Sequence, residues 1–250
     1  MVSDFLDGLV SYIQAWKLIT KMKLWSYLII PGIISLIVGI SIFGFAFSFS
    51  DEIANYLTSY WPFKFGVKLI SITSKIFSKI FSGFIGFLGF KNAILFINSP
   101  FMSQLSEKIE EQLSGRKAPQ LTFFKFISEL KRAVRVTFRS FVKEMIYSLF
   151  ALIIGGIFHV KILALFIVQA FYAGAGNLDY TLERHLSVEE SNEFVKRHRG
   201  LALGNGMVYI ILLFIPGLGL IFAPSLSAVA ATVESLERVD RYKNALDDII

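Results

Sequence analysis

The sequence predicts an all-α integral membrane protein with two long transmembrane helices, two re-entrant helical hairpins and interfacial amphipathic helices. Its 250 residues are 54% hydrophobic with a mean hydropathy of +0.61, which is more apolar surface than a soluble domain of this size can bury. Residues 24–50 form a charge-free stretch, long enough to supply the ~20 apolar residues that cross a ~30 Å hydrocarbon core. A second uncharged run, residues 201–233, is broken at its centre by prolines and glycines. We expect residues 1–250 to form a single membrane domain.

The N-terminal segment, residues 1–23, has the pattern of a helix that lies in the membrane interface. Its apolar residues recur at helical spacing from Val2 to Ile19, and its charged residues fall mostly on the other side. The first span follows over residues 24–50, where Pro31 is expected to kink or delay the regular helix.

A second long helix is predicted over residues 64–102, with Pro100 ending or bending its membrane portion. Residues 103–144 form a polar and amphipathic segment. The basic residues of that segment either anchor in lipid headgroups or line a vestibule that attracts anions. The outer part of the second helix is basic and contains Lys64, Lys68, Lys75 and Lys79.

Two later apolar regions, residues 145–178 and 201–233, are predicted as the hairpins. Each half of the second region is ~18–21 Å long, so neither half spans a bilayer alone. Lipid cannot satisfy the backbone groups freed at helix breakers, so this backbone must lie beside a cavity or a packed interface. The helix breakers of the second region are Pro216, Gly217, Gly219 and Pro224. Gly200 and Gly204 lie four residues apart, which indicates close helix packing.

The distribution of lysines and arginines favours hairpins over a broken crossing, which is the alternative shape. If the N-terminal segment is cytoplasmic, hairpins leave most basic residues on the cytoplasmic side, whereas a full crossing would move basic residues outward. His159 and Lys161 would then lie at the tip of the first hairpin. A charge at the bilayer centre costs about 3 kcal/mol on insertion scales, so this tip must reach water or a partner charge.

Composition also disfavours several function classes. No cysteine is present, which excludes thiolate metal sites and cysteine nucleophiles. His159, His185 and His198 lack metal-ligand spacing, and we find no nucleophile elbow or phosphate-binding loop. We therefore predict that the protein is not an enzyme and needs no metal or other cofactor. The net charge of +6 comes from basic residues beside apolar segments, which indicates contact with the lipid bilayer rather than with nucleic acid.

Three stretches carry a resemblance to a known family: YLIIPGIISLIVG at 27–39, NSPFMSQLSEKIEE at 98–111 and IPGLGLIFAPSLSAVAAT at 215–232. On these stretches the sequence resembles the CysZ-type sulfate permeases, the bacterial branch of the etoposide-induced-protein domain superfamily. The resemblance implies two crossing helices, two half-penetrating hairpins, homo-oligomers, and movement of sulfate across the bacterial inner membrane without an ATPase of the protein's own. A non-transporting membrane scaffold of the same fold is the alternative.

An anion pathway needs cations at its mouth and neutral donors inside it, because a deep unpaired cation would trap the anion. The family commonly has a Gly-hydrophobic-Arg-Arg stretch before the first proline motif, and this chain has Lys23-Leu24-Trp25-Ser26 there. The ordinary alternatives are headgroup anchors for the cations and interhelical hydrogen bonds for the amides. The candidates for substrate binding are Lys21, Lys23, Arg197, Arg199, Asn92 and Asn205, with Asn98, Gln169 and Asn177 as further donors.

Overall fold

The computed structural model describes residues 1–63, 65–115, 123–154, 158–215 and 217–247. These described residues form ten helices and no strand. In chain order the helices are α1 (Val2–Lys21), α2 (Ser26–Ser48), α3 (Ser50–Ser59), α4 (Val67–Ile97), α5 (Ser99–Ser114), α6 (Phe123–Ile154), α7 (Phe158–Leu182), α8 (Val188–Arg197), α9 (Arg199–Leu213) and α10 (Leu218–Asp247).

Within the described residues, four helical stretches are long and apolar enough to cross a membrane. Ser26–Ser59 and Val67–Ile97 correspond to the two predicted spans. Val160–Leu182 and Leu218–Tyr242 contain the second halves of the two regions predicted as hairpins. The predicted class, an all-α protein with membrane-spanning helices, is therefore confirmed.

The chain divides into two compact units. In the smaller unit, aromatic rings hold the end of α2 against α4: the rings of Phe43 and Phe90 lie 5.5 Å apart. Gly86 of α4 allows this approach, because a Cβ atom there would lie 3.2 Å from the Phe43 ring. The smaller unit is Leu36–Ile94, and the larger unit comprises Met1–Ser35 and Leu95–Ile250.

Helix α9 is the centre of the larger unit, and its glycines bring it against two neighbouring helices. A Cβ atom on Gly206 would lie 1.8 Å from the carbonyl oxygen of Ala170 in α7. A Cβ atom on Gly204 would lie 2.3 Å from the carbonyl oxygen of Phe5 in α1, and Gly200 is equally close to the start of the chain. Only glycine permits backbones to approach this closely, so the packing predicted for Gly200 and Gly204 is confirmed.

Helix α1 has two faces of different character. Most of its large apolar residues are exposed, among them Leu6 and Ile13, as expected for side chains that contact lipid. Ile19, which the pattern placed in the same stripe, is buried instead. The opposite face consists mainly of small side chains and packs on α9 and α10, a contact that the polar–apolar pattern alone did not predict. The buried residues are Gly8, Ser11, Tyr12, Ala15 and Ile19.

The predicted segment boundary at residue 145 falls inside a helix. Helix α6 is continuous across residue 145, where the polar segment was expected to give way to the first hairpin. Residues 123–154 change from amphipathic to apolar but contain no glycine or proline, so nothing interrupts the helix there. Lys161 is half-buried in the first turn of α7, and the side chain of His159 lies outside the described part of the chain.

The non-helical backbone between α9 and α10 is shorter than the pattern of helix breakers indicated. Gly219 and Pro224 both lie inside α10, and the break is confined to residues 214–217. Gly217 has a φ of +73°, the left-handed conformation that favours glycine. Pro216 lies outside the described residues.

Pro31 lies inside α2, which begins at Ser26, so the proline does not delay the helix. Proline lacks the N–H group that would bond to the carbonyl oxygen of Tyr27. That oxygen instead accepts a hydrogen bond from the hydroxyl of Ser225 in α10, at 3.2 Å. A lost helical bond is thus replaced by an interhelical one, which ties the first proline motif to the last.

Candidate functional site

Lys21 and Lys23 lie at the junction between α1 and α2, where the backbone turns sharply. Lys23 has a φ of 55°, in the left-handed region that L side chains rarely adopt. The N–H of Leu24 donates to the carbonyl oxygen of Ile19 at 3.1 Å, and the N–H of Lys23 donates to that of Thr20 at 3.3 Å. This pair of bonds is the Schellman ending of a helix, in which glycine usually occupies the left-handed position. A lysine there is strained, and strain of this kind concentrates at functional sites.

The surroundings of the two lysines combine exposed charge with an apolar wall. Both side chains are exposed, and neither forms an ion pair with another residue of the described chain. The Trp25 ring lies 5.3 Å from the Trp16 ring and 6.4 Å from the Phe222 ring. Low-dielectric walls beside a cation strengthen its attraction for anions, so this junction combines the exposed cations and the apolar wall that favour anion capture.

Replacing Lys23 with glycine should raise the free energy of unfolding by about 1 kcal/mol, because glycine adopts the left-handed conformation without steric cost. Lys21→Gly is the matched control: it removes the same charge from the last helical turn and should lower stability by about 1 kcal/mol. Thermal unfolding of the purified proteins in detergent would measure both effects. Equal destabilisation by the two changes would contradict the left-handed turn.

Arg197 and Arg199 lie at the opposite end of α1 from the two lysines. Gly200 faces the carbonyl oxygen of Met1, and α1 extends for 20 residues from there, which is ~30 Å. The structure therefore does not bring the two predicted pairs of cations together. Arg197 is engaged at the surface, since its Nε lies 3.3 Å from Glu193 and its guanidinium 5.3 Å from the centre of a tyrosine ring. Arg199 lines an open cavity.

Most of the predicted amide donors make hydrogen bonds that hold helices together. Asn205 of α9 is fully buried, and its side chain donates to the carbonyl oxygen of Ser227 in α10 at 3.0 Å and accepts from Asn177 in α7 at 2.9 Å. Its backbone carbonyl accepts a hydrogen bond from the Tyr12 hydroxyl of α1 at 2.7 Å. Asn92, in the smaller unit, donates to a backbone carbonyl of its own helix at 2.9 Å. Asn205 thus connects four helices.

The remaining amide candidates also have hydrogen-bond partners. Asn98, just before α5, donates to the hydroxyl of Ser35 in α2 at 2.7 Å. Gln169 of α7 donates to the hydroxyl of Ser148 in α6 at 3.1 Å. These bonds fix the approach of neighbouring helices in the way expected of amides in membrane proteins.

Glu110, Arg184 and His185 form an ionic cluster that the sequence analysis missed. Nη2 of Arg184 lies 2.8 Å, and Nε2 of His185 2.9 Å, from the Glu110 carboxylate, and the three side chains are only 11–14% exposed. Burial alone would raise the pKa of the Glu110 carboxyl. The hydrogen bonds and charges of His185 and Arg184 outweigh burial and lower this pKa to about 2. The carboxylate therefore stays ionised and fastens α5 to the end of α7.

A group of buried hydroxyls extends this cluster into the helix core. The Ser106 Oγ lies 3.0 Å from the hydroxyl oxygen of Thr181 and 2.7 Å from that of Thr232, so α5, α7 and α10 meet there. Arg184 donates to Ser106 at 2.7 Å. Hydroxyls and a guanidinium are the donors that oxyanions prefer. The Arg184 guanidinium is already paired with Glu110, however, so it is not available to a bound anion.

Arg132 in α6 is neither a headgroup anchor nor part of an anion-attracting vestibule, the two roles predicted for the basic residues of its segment. Its Nη2 lies 2.9 Å from a carboxylate oxygen of Asp179 and donates to the Ser191 hydroxyl at 2.8 Å, and its Nη1 donates to the Leu186 carbonyl oxygen at 2.9 Å. The sequence signal for this contact was Asp179 itself, an acidic residue in α7 directly after the uncharged run 162–178, where ionisable side chains usually have partners.

A family model matches most of the chain. The family is described as sulfate transporter CysZ/etoposide-induced protein 2.4, and the match covers residues 11–224. It includes the α1–α2 junction, the Glu110–Arg184 cluster and the break between α9 and α10. No curated protein matches the chain. The chain is a multi-pass membrane protein that belongs to the sulfate transporter CysZ/etoposide-induced protein 2.4 family.

Proposed function

We propose that the protein conducts sulfate or a related oxyanion across the bacterial inner membrane, as a homo-oligomer and without hydrolysing ATP itself. The observation that carries this proposal is the family match over residues 11–224, because it includes the first proline motif and ends within the last one. A second candidate function is a non-transporting membrane scaffold. It is favoured by the absence of the family's arginine pair, because Trp25 and Ser26 stand where the family commonly has two arginines.

The geometry of the α1–α2 junction supports it as the entrance for the anion. The family's Gly-hydrophobic-Arg-Arg stretch begins at the position of Lys23, and the left-handed φ of 55° at Lys23 explains why the family has glycine there. In this chain the positive charge lies on the turn itself rather than after it. Lysine offers a point charge where two arginines would offer paired, directed donors, so sulfate binding here should be weak and sensitive to salt.

We also propose that α9 and the start of α10 form a re-entrant hairpin. Helix α9 has 15 residues, so it is ~22 Å long and too short to cross a ~30 Å core. The two helices pack closely beside their turn, where a Cβ atom on Gly219 would lie 1.8 Å from the carbonyl oxygen of Leu212. The turn would then lie at bilayer depth, with glycine allowing the two backbones to approach.

The hairpin proposal predicts which segments share a compartment. Because the chain has no cysteine, single cysteines can be introduced at three exposed positions: Asn55, Glu189 before α9, and Glu237 near the end of α10. An impermeant thiol reagent applied to intact cells should label Asn55→Cys and leave Glu189→Cys and Glu237→Cys unlabelled until the membrane is permeabilised. Opposite labelling at Glu189→Cys and Glu237→Cys would contradict a hairpin between them.

Transport itself is tested with purified protein in liposomes. Radiolabelled sulfate should enter down its gradient without ATP, and excess unlabelled sulfite or phosphate should reduce the uptake more than excess chloride, because the entrance is expected to favour oxyanions. If monodisperse protein gives no more uptake than protein-free liposomes, the transport proposal fails and the scaffold proposal replaces it.

A further inference from the structure

An open cavity of about 850 Å³ lies between the start of α1 and helices α6 to α9. This volume falls in the range of small-molecule binding sites. Its floor is largely apolar and includes Val168, Phe171 and Leu203. Ile167, which also lines the cavity, is 41% exposed and belongs to the candidate span Val160–Leu182. The cavity therefore adjoins an exposed apolar face of a candidate membrane-spanning helix.

The rim of the cavity carries three cations from three different helices: Lys143 of α6, Lys196 of α8 and Arg199 of α9. Lys196 is only loosely paired, since its Nζ lies 3.9 Å from the Glu193 carboxylate. Burial lowers the pKa of Lys143, and the nearby charges of Arg139 and Lys196 lower it further. Positive charge is thus concentrated at this rim.

The acidic residue that lines the cavity does not cancel this charge. Asp179 lies against Arg132, with 2.9 Å between its carboxylate oxygen and Nη2 of the arginine. Since that carboxylate is already neutralised, a negative group entering the cavity meets a rim that is positive overall. An occupant that fits both the rim and the floor needs an anionic end and an apolar tail.

We propose that this cavity binds an anionic phospholipid, with an acyl chain on the apolar floor and the phosphate between Lys143, Lys196 and Arg199. A free oxyanion would satisfy the rim but leave the floor empty, and a zwitterionic lipid would fill the floor but gain less from the rim. The site is distinct from the α1–α2 junction, and its occupancy does not depend on whether the protein transports sulfate.

Native mass spectrometry of the delipidated protein in detergent tests this site with two lipids that have identical acyl chains. Dioleoyl phosphatidylglycerol should bind at least tenfold more tightly than dioleoyl phosphatidylcholine. The variant Lys143→Gln/Lys196→Gln/Arg199→Gln should bind phosphatidylglycerol about 100-fold more weakly, because each cation near an anionic headgroup contributes about fivefold. The matched control Lys68→Gln/Lys75→Gln/Lys79→Gln removes the same charge from exposed positions of the smaller unit and should leave the affinity within twofold.

A second variant tests the floor separately from the rim. Ala175 lines the cavity, and Ala175→Trp should fill it and weaken the binding of both lipids while all three cations remain. Unchanged phosphatidylglycerol binding in the triple glutamine variant would overturn the proposal. So would full competition by soluble glycerol phosphate at equal concentration, which would show an anion site without a lipid tail. A change in oligomer mass in place of a lost lipid adduct would identify the cavity as a contact between subunits and would equally overturn it.

Discussion

Gly206→Ala should separate α7 from α9 and lower the free energy of unfolding by about 3 kcal/mol. The added Cβ atom would lie 1.8 Å from the Ala170 carbonyl oxygen and 2.6 Å from the Gly174 nitrogen, which are both backbone atoms of α7. A side chain could rotate away from such a clash, but a helix backbone must move as a whole. Because α9 also contacts α1 and α10, its displacement would disturb the whole larger unit.

The control for this change is Gly44→Ala in α2. No described atom lies within 4 Å of a Cβ atom built at Gly44, so alanine should be tolerated and should favour the helix by about 1 kcal/mol. Thermal unfolding in detergent and the yield of monodisperse protein measure both variants. If Gly206→Ala unfolds at the temperature of the wild-type protein, the close contact between α7 and α9 is wrong.

Arg184→Met should lower the free energy of unfolding by about 3 kcal/mol, because it removes the guanidinium from a largely buried carboxylate and leaves His185 as its remaining partner. The side chains of Arg184 and Glu110 are 11% and 14% exposed, so water has little access to replace the lost guanidinium. The hydroxyl of Ser106 also loses the hydrogen bond that Arg184 donates to it. The effect should therefore exceed that of removing one ordinary hydrogen bond.

Two further variants show whether the lower stability of Arg184→Met arises from the buried Glu110 carboxylate that has lost its guanidinium. Adding Glu110→Met to Arg184→Met should restore part of the stability, since the double variant has no buried carboxylate that lacks its guanidinium. Arg241→Met removes an arginine whose partner Glu237 is 81% exposed, so its effect should stay within about 0.5 kcal/mol. Equal effects of Arg184→Met and Arg241→Met in urea or thermal unfolding would contradict a structural role for the Glu110–Arg184 pair.

Local sequence patterns predicted the features that depend on residues close together in the chain. Charge-free length identified the first long span, and the four-residue spacing of Gly200 and Gly204 predicted close helix packing, which the structure shows between α9 and α1. The boundary predicted at residue 145 marks a change in polarity and not the end of a helix, because no helix breaker accompanies it and α6 continues through it. Polarity decides which face of a helix is buried, whereas glycine and proline decide where a helix ends.

Local sequence patterns could not predict ion pairs between residues that lie far apart in the sequence. Arg184 lies 74 residues from Glu110 in sequence, and Asp179 lies 47 residues from Arg132, so no periodicity connects the partners. The candidate site shows the same limit. Lys21, Lys23, Arg197 and Arg199 share one chemistry, but the direction of α1 along α9 places the two pairs ~30 Å apart.

The most direct test of the account compares sulfate uptake into liposomes by the wild-type protein, by Lys21→Gln/Lys23→Gln and by the control Lys75→Gln/Lys79→Gln. The central claim is that oxyanions enter at the α1–α2 junction, attracted by the two lysines. We expect the first variant to take up radiolabelled sulfate about tenfold more slowly at low ionic strength and to lose most of the salt dependence of uptake, whereas the control behaves like the wild-type protein. Wild-type uptake and wild-type salt dependence in Lys21→Gln/Lys23→Gln would contradict the claim.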